Sequence, residues 1–229
     1  MSIALVAANF GAIDPIHPLP DHSGIDAFYY TDSPIDGGNW KTIRPNYPRY
    51  DFDNRLRAKY FKLQIHRLSE VKNHRWLVWN DSSLRYHSDI SFINAWTKRL
   101  EALPKHQHAL FIPHPDRTTI SEEFLFIMER MRLGDQYLIS RYAKEHMMEQ
   151  IADIGEDGKL WCGGFWIVEN TPLYHNFLND WWDHSLKFGI MDQLPIPSLF
   201  KKHGIDPQVF PVNTYLNQYW RWTRNDKKA

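Results

Sequence analysis

The chain of 229 residues has a single cysteine, Cys162, and no excess of charge of either sign. One cysteine excludes a disulfide scaffold and a cysteine-rich zinc site, and it is typical of a reducing, cytoplasmic compartment. Lysine plus arginine and aspartate plus glutamate both total 27, so a general nucleic-acid binder is not expected. Apolar runs fall short of the ~20 residues that a membrane-spanning helix needs, so no membrane span is predicted.

Familiar catalytic signatures are missing as well. The sequence has no P-loop, no G-x-G-x-x-G, no H-E-x-x-H and no G-x-S-x-G. Cys162 lies in an apolar segment, so a buried residue is expected there and not a nucleophile. The N-terminal apolar run ends at Ala8 with no basic segment before it, which favours a buried strand over a signal peptide.

Aromatic residues, in contrast, are plentiful. They make up 15% of the chain, with 10 Trp, 11 Tyr and 13 Phe. Trp and Tyr offer flat apolar faces with a polar edge, on which sugar rings stack well. The pattern therefore favours either a tryptophan-rich core or a sugar-binding surface.

Short apolar segments alternate with helical patterns, which predicts an α/β fold with a central, mostly parallel sheet flanked by helices. We expect one domain over residues 1–223 and a polar tail over 224–229. The predicted strands are Ile3–Ala8, Ala27–Thr31, Trp76–Trp79, Ala109–Ile112, Leu160–Val168 and Val209–Val212.

Helices are predicted from capping residues and from the spacing of apolar residues. The first predicted helix runs from Asp53 to about Ser69, and the second from Ser88 or Ser91 to about Leu103. A capping box of Thr119 with Glu122 begins a third helix, and Asp135–Ile151 forms a fourth. A fifth runs from Thr171 to Gly189, and the last, Asp192–Lys202, is either kinked or starts at Pro197.

The clearest local signal for a site is the acidic turn after the strand Trp76–Trp79, in which Asp81 is the only carboxylate. In open α/β sheets, ligands bind just beyond the carboxyl ends of the strands. One carboxylate together with phosphate oxygens and water is a frequent coordination for Mg²⁺. Asp81 is therefore either a metal–phosphate contact or the cap of its turn.

A basic stripe is the second signal. Arg55, Lys59, Lys62 and His66 are spaced by four, three and four residues, which places them on one face of a helix. Apolar residues occupy much of the remaining circumference, so the helix is expected to be largely buried. The stripe predicts either a diphosphate site or a face that is solvated or paired with acidic residues.

Three further positions carry two interpretations each. His114 follows a strand and either contacts a sugar or phosphate or is structural. Gly163 and Gly164 interrupt an apolar strand, which indicates either the close approach of a sugar or a β-bulge. Asp192 either accepts hydrogen bonds from a sugar or caps a helix.

The order of these segments resembles that of GT-A-type glycosyltransferases. One departure is that a D-x-D motif needs two carboxylates, whereas neither Trp79 nor Ser83 is acidic. The matching segments are Ala8–Phe10 for the nucleotide pocket, Tyr30–Asp32 for the base, Asn54–Lys59 for the basic helix, Trp79–Ser83 for the acidic turn, and Cys162–Phe165 with Asp192–Gln193 for the donor sugar and the acceptor.

The resemblance implies a GT-A-like fold and transfer of a sugar from a nucleotide-sugar, most simply a UDP-sugar, to a glycan or glycoprotein, with retention favoured. It implies Mn²⁺ or Mg²⁺ at Asp81, and it gives catalytic roles to Asp81, Asp192 and His114. The implied donor-binding residues are Ala8, Asn9, Phe10, Asp32, Arg55, Arg57, Lys59, Lys62, Gly163 and Gly164.

In size and layout the chain is also similar to the small glycosyltransferase domains with which chlorella viruses decorate their capsid protein. That similarity implies a viral protein acting in the cytoplasm of its host cell. Two alternatives remain open: a carbohydrate-binding or capsid-associated module without catalysis, and a nucleotidyltransferase, which would also need an acidic turn beside phosphates.

Overall fold

The computed structural model describes residues 2–33, 38–45, 53–132, 143–155, 158–189 and 192–223. The predicted tail over 224–229 lies outside these residues. In chain order the strands are β1 (Ile3–Asn9), β2 (Ile25–Thr31), β3 (Lys41–Ile43), β4 (Trp76–Asn80), β5 (Leu84–Tyr86), β6 (Ala109–Pro113), β7 (Trp161–Glu169), β8 (Gln208–Val209) and β9 (Trp220–Trp222).

The helices follow the predicted sites closely, although several ends differ. They are α1 (Asn54–Leu63), α2 (Ser91–Glu101), α3 (Ile120–Arg132), α4 (Ala143–Ile154), α5 (Pro172–Phe188) and α6 (Ile196–His203). The predicted start of the fourth helix, 135–142, lies outside the described residues. Within those residues, every helix is too short or too polar to cross a lipid bilayer.

A seven-stranded sheet in the order β3-β2-β1-β4-β7-β6-β8 forms the centre of the fold. All neighbouring pairs are parallel except those made by β7, which runs antiparallel to both β4 and β6. The predicted α/β fold with a mostly parallel sheet is therefore confirmed. Strands β1, β4 and β7 are buried along their whole length, as expected for strands covered on both faces.

Two apolar cores cover the two faces of the sheet, and alternate residues of β1 enter them. Ala4, Val6 and Ala8 face the core that contains residues of α1, α5 and α6. Residues 3, 5 and 7 face the core formed with α2 and with Trp220 of β9. Much of the aromatic content serves these cores, because Trp76, Trp166, Trp181 and Trp220 are fully buried.

Helix α1 begins where the sequence predicts. The Asp53 side chain accepts hydrogen bonds from the backbone N–H groups of Arg55, at 2.8 Å, and Leu56, at 2.9 Å. The helix ends at Leu63, earlier than predicted, and a 3₁₀ turn over Ile65–Arg67 follows. Because this turn changes the phase of the side chains, His66 leaves the basic stripe.

Local residues account for where helices α3 and α5 begin or end. Thr119 and Glu122 form the predicted capping box, since each accepts a hydrogen bond from the backbone N–H of the other. Gly189 ends α5 with a φ of 117°, a value that L-residues rarely adopt. Helix α6 begins at Ile196, one residue before the predicted start at Pro197, and the kinked alternative from Asp192 is not formed.

Three short strands escape prediction, and one is displaced. Strands β3, β5 and β9 span three residues each, which is too few for an alternating pattern to appear. The last strand of the main sheet is Gln208–Val209 instead of Val209–Val212. Strands β5 and β9 pair with each other in a separate two-stranded sheet, which brings the end of the described chain back to the residues that follow β4.

The cap of α1 gives a direct test of this fold. We expect Asp53→Ala to lower the free energy of unfolding by about 0.5–2 kcal/mol, because two N–H groups lose their acceptor. Asp53→Asn is the matched control and is expected to be nearly silent, since Asn caps about as well as Asp. Urea unfolding followed by circular dichroism measures both, and equal stability of the two variants would contradict a capping role.

Candidate active site

A cleft of about 410 Å³ opens at the carboxyl ends of β1 and β4 and is called the central cleft. Its position agrees with the rule for ligand sites in open α/β sheets. Ten of the thirteen predicted site residues line it. The lining consists of Ala8, Asn9, Phe10, Ile13, Asp14, Asn54, Arg55, Ala58, Lys59, Lys62, Trp79, Asp81, Ser82, Ser83, Gly163, Gly164, Asp192, Gln193 and Trp222.

Asp81 is held in place by the strand end that precedes it. Its backbone N–H donates to the carbonyl of Gly164 at 2.8 Å, and its Oδ1 accepts a hydrogen bond from Trp79 Nε1 at 2.7 Å. Its carbonyl accepts from the N–H of Leu84 at 3.0 Å, which closes the turn. Asp81 thus has a structural role in its turn, and its carboxylate also lies at a fixed position on the cleft wall.

The two lysines of α1 meet a single carboxylate. Lys59 Nζ lies 2.6 Å and Lys62 Nζ 2.5 Å from the same oxygen, Oδ2 of Asp192. The Lys62 side chain is 2% exposed and that of Asp192 is 7% exposed, whereas Lys59 retains 21%. Arg55 is exposed, whereas Lys59 and Lys62 pair with an acidic residue, as one of the two interpretations of the stripe predicted. Together with the half-buried Asp81, these two lysines and Asp192 are called the lysine–aspartate cluster.

The pKa values within the cluster move in opposite directions. Burial opposes ionisation of Asp192, but Lys59 and Lys62 hold the pKa of its carboxyl far below its usual value. Burial lowers the pKa of Lys59, while for Lys62 the attraction of Asp192 and Asp81 outweighs burial and raises the pKa. Burial raises the pKa of Asp81 against the opposing effect of both lysines. Lys62 and Asp192 are thus fixed as a charged pair.

The paired glycines of β7 make room for this cluster. A Cβ atom on Gly163 would lie 2.6 Å from Lys62 Nζ, and one on Gly164 would lie 3.0 Å from the Trp222 ring and 3.3 Å from Asp81 Oδ2. The β6–β7 register also shifts here, since Phe111 pairs with Trp166 but Ile112 pairs with Cys162. The predicted bulge is therefore present, and the close approach to Gly163 is made by the protein's own lysine.

The loop after β1 forms another wall of the cleft. Asn9 donates from Nδ2 to the carbonyl of Asp14 at 2.7 Å, and Ser82 Oγ donates to Asp14 Oδ2 at 2.7 Å. These bonds connect the ends of β1 and β4 across the sheet edge. Asp14 was not predicted as a site residue, because it belongs to no motif with recognisable spacing. Ser82 lies in the predicted acidic turn, Trp79–Ser83, but was given no role of its own.

Asp32 and Arg57 lie outside the lining of the central cleft. Their side chains face each other at 3.6 Å, and Asp32 also accepts hydrogen bonds from the backbone N–H of Gly11 at 3.0 and 3.2 Å. The Arg57 guanidinium lies 5.4 Å from the centre of the Phe10 ring. Both residues thus stabilise the loop after β1, and base recognition by Asp32 stays a prediction.

His114 lies in a second cleft of about 450 Å³, the side cleft, which shares Arg55, Gln193 and Trp222 with the central one. Its Nδ1 accepts hydrogen bonds from the backbone N–H of Asp116 at 3.2 Å and of Arg117 at 3.0 Å. These bonds give His114 a structural role in its own loop. Contact with a substrate in the side cleft stays a prediction.

His66, the last member of the predicted stripe, does not reach either cleft. Its ring stacks on His175 with 4.6 Å between the ring centres. Burial, together with His175, lowers the pKa of His66 to about 4, so the ring is neutral at physiological pH. Its inclusion in the stripe was wrong because helical spacing ends at Leu63.

The largest omission of the sequence prediction is Trp222. Strand β9 is fixed beside the Asp81 turn by Thr223, whose N–H and Oγ1 both donate to the carbonyl of Ser83, at 2.7 and 2.8 Å. Trp222 therefore lies between the two clefts. The aromatic spacing Trp220–Trp222 was the available signal, but a strand of three residues gave no reason to place it here.

The described residues do not offer a complete metal site. They contain no group of three or more His, Cys, Asp or Glu side chains that would hold an ion. Of the carboxylates in the lysine–aspartate cluster, Asp192 uses Oδ2 for two lysines and Asp81 uses Oδ1 for Trp79. This donor set does not fit a cation bound by the protein alone, and the Mn²⁺ or Mg²⁺ expected from the sequence stays a prediction.

Among known proteins, the chain has a structural relative. It is similar to the crystal structure of mouse xyloside xylosyltransferase 1 in its apo form, with 10% sequence identity and a TM-score of 0.49. The similarity covers 92% of this chain and 85% of the mouse chain. No protein-family model and no curated protein sequence matches the chain.

The buried ion pairs predict a large effect on stability. We expect Asp192→Asn to lower the free energy of unfolding by about 3–5 kcal/mol, because two lysines of the interior lose their counter-charge. Asp153→Asn, which removes the exposed partner of Lys201, is the control and should cost about 0–1 kcal/mol. Similar losses in the two variants would contradict the assignment.

Asp192→Asn should also differ from the wild-type protein in how its stability changes with acid. Because the folded pKa of Asp192 lies below its unfolded value of 3.8, its contribution is complete above about pH 4 and is lost as the pH falls below that value. The wild-type protein should therefore lose more stability than Asp192→Asn between neutral pH and pH 3. Urea titrations at both pH values measure the difference.

Proposed function

We propose that the protein is a glycosyltransferase that uses a nucleotide-sugar, with a UDP-sugar as the first donor to test and a glycan or glycoprotein as acceptor. The observation that supports this most strongly is the lysine–aspartate cluster inside the central cleft. A cleft at the carboxyl ends of parallel strands with buried ammonium groups suits a diphosphate, and carboxylates beside it suit sugar hydroxyls.

In this proposal each wall of the cleft holds one part of the donor. The nucleoside would lie along Ala8–Phe10 at the end of β1. The diphosphate would reach Arg55 and Lys59 on α1, because these side chains line the cleft from one face of the helix. The sugar would then extend toward Asp81 and the bulged glycines of β7.

The proposed reaction is a displacement at the anomeric carbon. The bond between this carbon and the β-phosphate oxygen breaks, and the nucleoside diphosphate leaves with the electron pair. The acceptor hydroxyl oxygen forms the new glycosidic bond, and its proton passes to a basic group in the cleft. Ammonium and guanidinium groups stabilise the charge on the leaving phosphate, and the Asp81 carboxylate faces the positive charge that develops on the sugar.

Ligand-induced stabilisation tests this proposal against its two alternatives. We expect UDP and at least one nucleotide-sugar to raise the melting temperature, since a ligand that binds only the folded state stabilises it. Stabilisation by free glycans but not by any nucleotide would favour a carbohydrate-binding module. Stabilisation by nucleoside triphosphates in preference to nucleotide-sugars would favour a nucleotidyltransferase. A structure with the best ligand would then identify the donor.

Two finer assignments follow from the resemblance and remain proposals. One is the relation to the capsid-glycosylating domains of chlorella viruses. The other is action in a reducing cytoplasm, with which the free, buried thiol of Cys162 is consistent. Burial raises the pKa of this thiol to about 11, so it is not a nucleophile at neutral pH.

Lys59 provides the first quantitative test. Lys59→Met keeps the apolar stem but removes the charge, so we expect donor affinity to fall by about 1.5–3 kcal/mol, the usual value for a charge-assisted contact. Lys98→Met on the exposed face of α2 is the matched control and should leave the affinity unchanged. Calorimetry with UDP measures both, and unchanged affinity of a folded Lys59→Met variant would contradict phosphate contact.

Asp81 provides the second test, on turnover. Asp81→Asn keeps the shape and the acceptor for Trp79 but removes the negative charge, so we expect the rate of sugar transfer to fall about a hundredfold or more. Asp89→Asn is the control, because Asp89 is exposed and caps the N–H of Ser91, a role that Asn fills equally well. Near-normal transfer by a folded Asp81→Asn variant would remove Asp81 from the catalytic residues.

A further inference from the structure

We propose that the ammonium groups of Lys59 and Lys62 take the position that a divalent cation would need in the central cleft, so that a nucleoside diphosphate binds there without metal. This inference rests on the proposed function. It identifies how the cleft recognises the diphosphate, and it differs from the expectation of Mn²⁺ or Mg²⁺ at Asp81.

The first support for this proposal is the pairing of the Asp192 carboxylate with both lysines. A carboxylate that would otherwise be available to a cation instead binds two ammonium groups at 2.6 and 2.5 Å on one oxygen. Lys62 is fixed there from three sides, since its ammonium also lies 5.3 Å from the centre of the Trp181 ring and fills the space beside Gly163. The Lys62 ammonium group is therefore enclosed by Asp192, Trp181 and Gly163.

The sequence of β7 fits an ammonium group at this position. Any side chain in place of Gly163 would enter the space of Lys62 Nζ, because its Cβ would lie only 2.6 Å away. Gly163 therefore couples the bulge of β7 to the lysine of α1. Gly163, which the sequence suggested as a contact of the donor sugar, instead leaves space for the Lys62 ammonium group.

Charge balance gives the third argument. With every group ionised, three cations, Arg55, Lys59 and Lys62, and three carboxylates, Asp14, Asp81 and Asp192, line the cleft, so its wall is neutral without a metal ion. Two ammonium groups already attract a diphosphate, whereas a divalent cation beside them would be repelled by both.

The two lysines have different parts in this arrangement. Both lysines line the cleft, but Lys59 is the more exposed, so it is the group that touches phosphate. Lys62 is almost completely buried and acts through Asp192, so it is a positioning residue that sets the direction of Lys59. Both depend on the same carboxylate oxygen, and movement of one ammonium group therefore affects the other.

The experiment measures diphosphate binding instead of turnover. UDP is titrated into the wild-type protein by calorimetry in EDTA and, separately, in Mn²⁺ and in Mg²⁺, with GDP and ADP in parallel. We expect binding in EDTA with an affinity within about threefold of that in either metal. An affinity at least about tenfold higher with metal, or binding only with metal, would overturn the inference and leave the proposed function standing.

A different outcome would overturn both proposals at once. If none of the diphosphates binds under any condition to protein shown to be folded by circular dichroism, the cleft is not a nucleotide site. The direct titration of Mn²⁺ without nucleotide is a separate measurement. We expect no binding to the wild-type protein, and tight binding would contradict the occupation of the cation position by lysine.

Lysine variants test whether the affinity for UDP in the absence of metal depends on Lys59 and Lys62. In EDTA, Lys62→Met and Lys59→Met should each bind UDP at least about tenfold more weakly than the wild-type protein, while Lys98→Met should not differ from it. Lys59→Met keeps the test open if Lys62→Met does not fold, because Lys59 is less buried. Wild-type affinity in a folded Lys59→Met variant would overturn the inference.

Discussion

The attachment of two lysines to one oxygen of Asp192 is the interaction on which the rest of the site depends. Charged groups this deeply buried are tolerated only when each is paired and hydrogen-bonded. The requirement joins elements far apart in the chain: α1 supplies Lys59 and Lys62, and the segment before α6 supplies Asp192. Trp181 of α5 donates from Nε1 to the carbonyl of Asp192 at 2.6 Å and so fixes the acceptor from behind.

The sheet is shaped to admit these charges. A strand as apolar and as buried as β7 would normally bring side chains against α1, but its bulge at Gly163 and Gly164 leaves space instead. The N–H of Asp81 then bonds to the carbonyl of Gly164, so the same bulge sets the acidic turn after β4. Glycines in a strand reduce stability by themselves, and here Gly163 leaves the space that the Lys62 ammonium group occupies.

The sequence was most informative where regular structure was long enough to impose a period. The face of α1 could be predicted from its four- and three-residue spacing, and Asp81 from its place at a strand end. The prediction failed where local structure departs from that period, as at His66 in the 3₁₀ turn. It also missed contacts made across the chain: Trp222 reaches the clefts through β9, and pairing with Arg57 draws Asp32 away from them. No spacing in the sequence encodes such long-range partners.

Both lysines of the cluster are paired with Asp192 in the empty cleft, and this bears on the proposed ligand recognition. A site with unpaired buried charges would be unstable when empty, so the free protein needs an internal substitute for the anion that we propose it binds. Asp192 is placed to be that substitute, because it accepts from the lysines that line the cleft. Lys59, the more exposed of the pair, has room to share its hydrogen bonds with a phosphate while Lys62 keeps Asp192 neutralised. The cluster therefore stays paired in the empty state, and Lys59 is the ammonium group that, under the proposed function, would turn toward a diphosphate.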